Sequence, residues 1–171
     1  GMVSVLGLEL EKVQAVCDEA RQPGEILQIA NHLCPGNIVV SGHLTACDRV
    51  PAIAEKAGAM KTIRLAVAGA FHTPLMQPAY DRLAKAVADA DIKSPRIPVI
   101  SNVDAEPHSD PAEIRQLLVK QLVSPVQWEE SMRRLLGQHG VDTAKEIGTG
   151  LVLTGLMKRI DRKIACENGA A

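Results

Sequence analysis

EILQIANHLCPGNIVVSG, residues 25–42, holds two strand-like runs on either side of Cys34-Pro35-Gly36. EILQIAN (25–31) and NIVVSG (37–42) are mostly apolar and rich in β-branched side chains, and a Pro-Gly pair between such runs is a turn signal, so the stretch reads as a hairpin. Upstream, MVSVLGL (2–8) is another β-rich run, followed by Leu10, Val13, Cys17 and Ala20 at helical spacing until Arg21-Gln22-Pro23-Gly24 ends the pattern. Downstream, Thr45 to Ala57 places Val50, Ile53, Ala54 and Ala57 on one helical face, and KTIRLAV (61–67) resumes the strand pattern after Gly58. Pro51 has to lie in the first turn of that helix or kink it. The order βαββαβ predicts a ferredoxin-like subdomain over residues 1–68, a four-stranded sheet with two helices on one face.

The remainder is less balanced. Residues 76–171 hold four helical patterns but only two short strand candidates, IPVIS (97–101) and TAKEIG (143–148). A layered α/β unit buries itself against several parallel strands, so partner strands are expected from another chain or from an upstream segment of a longer protein. The expected organisation is thus mixed, α+β passing into α/β, with a small subdomain at 1–68, a second unit at 69–165 and a frayed tail at 166–171, periodicity being lost from residue 161.

Composition narrows the function classes. With 46% apolar and 23% charged residues the chain has the make-up of a folded globular protein. The 19 basic and 20 acidic residues include no dense Lys/Arg run, so neither nucleic acid nor an anionic membrane surface is expected as a partner. No apolar run approaches the ~20 residues of a membrane helix and no signal-peptide layout opens the chain, which predicts a cytoplasmic location. Cys17, Cys34, Cys47 and Cys166 form no CxxC pair and are expected as reduced thiols. His32, Cys34, His43 and Cys47 have the chemistry of zinc ligands but the spacing of no common structural site, and no metal is expected. GTGLVLTG (148–155) matches no phosphate-loop pattern and reads as close strand-to-helix packing. Trp128, Met132, Leu135 and Leu136 form a core stripe, with Glu129/Arg133 and Glu130/Arg134 paired on the solvated side. His108 and His139 lie in polar turns and read as exposed.

One histidine stands apart. GAFHTPLMQP (69–78) puts His72 where a strand-like run gives way to a proline-punctuated turn. Further on, DPAEIRQLLVKQLVSP (110–125) opens with Asp110 as N-cap, Pro111 at the first helical position and Glu113 at the third, a capping-box analogue. Gln121 falls on the apolar face of that helix, which Ser124-Pro125 should end near Val123, leaving the carbonyls of residues 120–123 without intrahelical partners. Carbonyls at the negative end of a helix suit a histidine that must be held in one tautomer and accept a proton. The residues by themselves leave open whether His72 meets that helix end, or merely caps a turn while Gln121 is an ordinary helix amide.

GAFHTPLMQPA resembles the FHSxLMxPA segment of malonyl-CoA:acyl carrier protein transacylases and of polyketide-synthase acyltransferase domains. GMVSVLGLELEKVQAVCDEA, NHLCPGNIVVSGH, IPVISNVDAEP, LVKQLVSPVQWEESM and EIGTGLVLTGLMKRI are similar to further family segments in the same order, so the resemblance covers nearly all of residues 1–165. It implies a ferredoxin-like small subdomain followed by the C-terminal part of an α/β-hydrolase-like large one. It also implies a serine acyltransferase of fatty acid or polyketide synthesis, which passes malonyl from coenzyme A to the phosphopantetheine thiol of an acyl carrier protein. No cofactor beyond those substrates is implied. The family's general base matches His72, and the glutamine whose main-chain carbonyl orients it matches Gln121. Phe71, in Gly69-Ala70-Phe71-His72, is similar to the malonyl type of acyltransferase, and Asn31 matches an asparagine near the family's active-site mouth.

The family's nucleophile lies in a GHSxG elbow, and Ser4, Ser41, Ser94, Ser101, Ser109, Ser124 and Ser131 all lack a GxSxG context here. The chain therefore resembles only the C-terminal portion of the family, without the segment that brings the serine, the malonate-binding arginine and the oxyanion glutamine. That missing N-terminal segment is an expected partner beside acyl carrier protein and malonyl-CoA, and the chain alone is expected to be inactive. Leu33, Cys34, Asn37 and Thr149 depart from usual family residues. The other reading is a noncatalytic βαββαβ module that binds a carrier protein or a partner chain.

Overall fold

The computed structural model describes residues 1–169. Six elements build the first unit: β1 (Met2–Leu6), α1 (Leu10–Ala20), β2 (Leu27–Cys34), β3 (Asn37–Gly42), α2 (Leu44–Lys56) and β4 (Lys61–Arg64). The hairpin of β2 and β3 is antiparallel, β1 pairs antiparallel with both β3 and β4, and the order β4-β1-β3-β2 is that of a ferredoxin-like sheet. Alternation along the strands decides which side chains meet the helices. Val3, Val5, Leu27, Ile38 and Val40 face α1 and α2 and join Val13, Val16, Cys17, Val50 and Ala54 in one closed core. The opposite face is thinner, with Met2, Ala30 and Val39 flanked by Leu33, Leu65 and Phe71.

Pro51 sits inside α2 rather than in its first turn, and its ring is exposed, on the side away from the sheet. β4 stops at Arg64, three residues short of the strand-like run, although the Leu65 N–H still reaches the Met2 carbonyl at 3.0 Å.

The second unit supplies the four expected helices, α3 (Gln77–Ala88), α4 (Pro111–Lys120), α5 (Trp128–Gly137) and α6 (Val152–Ile160). IPVIS shrinks to β5 (Val99–Ile100), which among the described residues pairs only with β6 (Pro107–His108). Three strands were not legible in the sequence: β6 and two more. β7 (Val126–Gln127) adds parallel to the outer edge of β2 at Asn31 and His32, and so extends the first unit's sheet with residues from the second. β9 (Ala165–Gly169) pairs parallel with β8 (Thr143–Ile147). The segment from residue 161 was expected to fray, yet five of its residues form this strand, because their partner lies some 20 residues upstream and no local period announces it. The last two residues of the expected tail, 170 and 171, lie outside the described residues.

The first unit closes its core, whereas the second leaves Ile97, Ile147, Leu151 and Val152 between 61% and 75% exposed. That is the unbalanced inventory of strands seen as uncovered apolar surface. Among the described residues no helix is long and apolar enough to cross a membrane.

Candidate active site

His72 occupies the junction of the two units. A short 3-10 turn, Pro74–Met76, follows it, and the buried Thr73 fixes that turn by donating its hydroxyl to the Ala70 carbonyl (2.7 Å) and accepting the Leu75 N–H (3.2 Å). Between these anchors His72 is held at φ +63°, in the left-handed region that non-glycine residues rarely enter. Such a conformation costs on the order of 1–3 kcal/mol and persists only where the surroundings over-determine it.

Those surroundings come from both units. The α4 helix starts as its sequence requires, Asp110 Oδ1 accepting the N–H groups of Ala112 (2.6 Å) and Glu113 (3.1 Å). Glu113 does not complete a capping box; its carboxylate lies 3.2 Å from His108 Nδ1. The helix ends at Lys120, three residues before the expected stop, and residues 121–123 continue as a tight turn. Val123 N–H satisfies the Lys120 carbonyl at 3.1 Å. The next free carbonyls point at His72: Leu122 O accepts its backbone N–H (3.0 Å), while Gln121 O and Ser124 O lie 2.8 Å and 3.1 Å from ring Nδ1. From the first unit, Gln28 on β2 donates its side-chain amide to the His72 carbonyl at 3.0 Å.

Carbonyl oxygens only accept, so Nδ1 must carry the ring proton, and in the neutral imidazole Nε2 then holds the lone pair. That is the tautomer a general base needs, and the device is two carbonyls at a helix end in place of a carboxylate.

The structure joins His72 and Gln121 through the main chain of Gln121. Its side chain is half-buried, donates to Leu118 O (3.2 Å), and presents its oxygen 3.5 Å from the Asn102 amide. Beside it runs a groove of about 200 Å³ between the apolar face of α4 and residues 99–102. Phe71 packs against the thin face of the sheet with Met2, Ala30 and Val39. Asn31 sits opposite Val39 on β3 and Val126 on β7, three positions along β2 from Gln28. No cue in the sequence pointed to Gln28, since a glutamine on a strand reads as solvent-facing. Nor did it single out Asn102 and Gln127, whose contacts tie the turn after β5 to β7: Gln127 donates its backbone N–H to Asn102 O (2.8 Å) and its amide to Val103 O (3.0 Å).

Other candidates are engaged elsewhere. His43 Nδ1 accepts the Ile26 N–H (2.8 Å), and Cys34 and Cys47 are buried, which raises their thiols. Burial pushes the Cys17 thiol up to about 12, far from thiolate chemistry at neutral pH. Ser4, Ser41 and Ser131 are buried, with hydroxyls directed to Asn37, Gly1 and Gln127. The glycine-rich 148–155 segment leads into α6, whose first N–H groups at Leu153 (3.0 Å) and Thr154 (2.9 Å) are taken by the Glu146 carboxylate; the Thr154 N–H foremost holds that carboxyl below its usual range. Two surface readings are corrected. Glu129, expected on the solvated side of α5, is buried, 3.1 Å from His32 Nε2 and bound to Arg133 at 2.6 Å, because β7 draws the start of the helix against β2. His108, expected in an exposed turn, is enclosed by Asp104 and Glu113, each 3.2 Å away.

No family model matches the chain. It is 40% identical over 163 residues to the malonyl CoA-acyl carrier protein transacylase of Bacillus subtilis, covering 95% of this chain and 51% of that protein. To the Escherichia coli K12 protein of the same name it is 38% identical over 159 residues, covering 93% of this chain and again 51% of the relative. Among solved structures, an acyl carrier protein S-malonyltransferase from Vibrio cholerae superposes with a TM-score of 0.92 at 39% identity, over 98% of this chain and 54% of that one. A malonyl-transacylase solved in complex with a type II polyketide acyl-carrier protein superposes with a TM-score of 0.90 at 36% identity, over 99% and 54% of the two chains. The chain spans about half the length of the curated relatives it matches. Agreement of sequence and fold over that half makes this chain similar to about half of a malonyl CoA-acyl carrier protein transacylase.

Proposed function

We propose that this chain carries the general base of an acyl carrier protein S-malonyltransferase, working on a serine supplied by an N-terminal segment outside these residues. The observation that carries the reading is the pair of carbonyls, Gln121 O and Ser124 O, on His72 Nδ1, since it makes Nε2 the proton acceptor. The match to transacylases over half their length, and the uncovered Ile147, Leu151 and Val152, support a missing half that brings the nucleophile and covers this surface.

In the first half-reaction Nε2 takes the serine proton as the hydroxyl oxygen attacks the carbonyl carbon of malonyl-CoA. The tetrahedral intermediate collapses, the C–S bond breaks, and the imidazolium returns that proton to the departing coenzyme A thiolate. In the second, Nε2 takes the proton of the carrier protein's phosphopantetheine thiol, whose sulfur attacks the malonyl-serine ester. Collapse releases the serine oxygen, which recovers its proton from His72. Throughout, Nδ1–H stays on the helix-end carbonyls, so the ring keeps its aim as its charge changes. The substrates are a coenzyme A thioester and a phosphopantetheinylated carrier protein, with no further cofactor. Phe71 narrows the acyl pocket toward unbranched malonyl, and Asn31 lines the mouth. Transfer takes place in the cytoplasm.

The test is complementation: malonyl transfer to carrier protein by the 171-residue chain, alone and with the N-terminal half of a relative supplied. Activity confined to the complemented sample is expected. Transfer by the chain alone, or undiminished transfer after His72→Ala in the complemented sample, overturns the reading.

A further inference from the structure

Four polar contacts converge on His72, and three of them come from the turn after α4: Leu122 O on its N–H, and Gln121 O and Ser124 O on its ring. The fourth is the Gln28 amide on its carbonyl, and it alone comes from the ferredoxin-like sheet. Rotation about the His72 backbone would carry the carbonyl away from β2 and the ring away from the α4 turn together. At φ +63° that rotation runs downhill for an L-residue, so the left-handed conformation needs a hold on each side. Thr73 anchors the following turn to Ala70 and leaves the His72 carbonyl itself to Gln28.

Gln28 is suited to be that hold. It lies inside β2, paired with Ser41 on β3, so its backbone is fixed by the ladder, and its side chain is half-buried. An amide nitrogen donates to a carbonyl without adding charge beside an imidazole that must alternate between neutral and cationic forms.

We infer that Gln28 is a positioning residue for the transfer reaction, holding His72 in its left-handed conformation through the His72 carbonyl so that Nε2 keeps its aim. The inference rests on His72 acting as the base. Gln28 touches neither substrate nor the reacting atoms; its effect passes through the His72 backbone. Misplacement of a catalytic group by about 1 Å costs on the order of a hundredfold, and a tether that restrains rather than builds the geometry should account for part of that.

Two variants remove the donor and keep the shape, Gln28→Met and Gln28→Glu. In the complemented transferase, Gln28→Met and Gln28→Glu should lower kcat by about tenfold with KM for malonyl-CoA changed less than twofold, the signature of a contribution confined to the chemical step. Long-range proton–nitrogen NMR of the ¹⁵N-labelled chain gives a readout that a packing defect would not move. Unsubstituted protein should show His72 protonated at Nδ1 alone, and the two donorless variants a mixture of tautomers, at thermal midpoints within a few degrees of the parent. Parent-like kcat and parent-like His72 resonances in both donorless variants would overturn the role of Gln28. Absence of the Nδ1–H tautomer in the unsubstituted chain would instead overturn the general-base reading, and this inference with it.

Discussion

The ring of His72 and the main chain of Gln121 meet at 2.8 Å, Nδ1 to carbonyl oxygen, across 49 residues of sequence. The glutamine takes part through an atom that every residue possesses. Its side chain is turned to Leu118 and Asn102.

This relation separates two substitutions that a motif would treat alike. In the complemented enzyme, His72→Ala removes the proton acceptor and should cost about 10²–10⁴ in kcat/KM for malonyl transfer. Gln121→Ala leaves the carbonyl in place and should cost less than about tenfold, part of it from the loosened contact with Asn102. Equal losses in the two variants would mean that the Gln121 side chain, not its carbonyl, is the working part.

Gly42 closes the end of β3 against the start of β2. A Cβ there would stand 2.0 Å from the Ile26 carbonyl oxygen and 2.7 Å from Leu27 Cα, both backbone atoms that cannot swing aside. His43 and Ile26 also grip each other from both sides, backbone N–H to carbonyl and N–H to imidazole at 2.8 Å each. Gly42→Ala should therefore destabilise the first unit by about 3 kcal/mol or more, at the upper end for overpacking, read as a lowered urea midpoint. A midpoint unchanged within error would show that β2 can move away from β3 at this point.

Asp110 opens the helix whose far end holds His72. Asp110→Ala leaves the N–H groups of Ala112 and Glu113 without their cap and should cost about 0.5–2 kcal/mol of stability. Fraying from that end should also raise amide hydrogen exchange along α4 while the exchange of β1 and β3 stays as it was. Uniformly faster exchange in both regions would indicate that the helix does not open locally.

His108 gives a pH dependence with a definite sign. Burial alone would lower its pKa, but hydrogen bonds to Glu113 and Asp104 outweigh this and raise it above the usual histidine value. Asp104 is also pushed up by burial, and the Glu106 N–H and the His108 ring outweigh that and hold it below the usual range. The histidine's contribution is present in full below its unfolded-state value near 6.5 and is lost as pH rises through the raised folded-state value. The Asp104 contribution is present above about 3.8 and is lost as pH falls below it. The stability difference between the parent chain and His108→Gln should thus be largest between about pH 4 and 6.5 and shrink above that; with carboxylates this exposed it should stay below about 1 kcal/mol. Urea midpoints at pH 5.5 and 9 measure it, and a difference that grows at pH 9 would reverse the assignment.

Legibility followed the range of the interactions. The hairpin around Cys34-Pro35-Gly36, the faces of α1 and α2 and the Asp110 cap each rest on residues within a few positions of one another, and sequence spacing reports such contacts directly. β7 has two residues and exists only because β2 offers an open edge at Asn31 and His32. β9 exists only because β8 lies beside it. Glu129 and His108 are polar by type and become enclosed through neighbours distant in sequence or supplied by a turn.

By itself the amino-acid sequence determined the ferredoxin-like order, the start of α4 and the surplus of carbonyls near its end, because periodicity, capping and the proline at 125 are local constraints on the backbone. Only the tertiary structure decided that those carbonyls converge on His72, that the histidine is turned into a left-handed conformation, and that Gln28 reaches it from the sheet. The contacts on its N–H and carbonyl span 44 to 50 residues, and contacts at that distance follow from how whole elements pack, which no local spacing encodes.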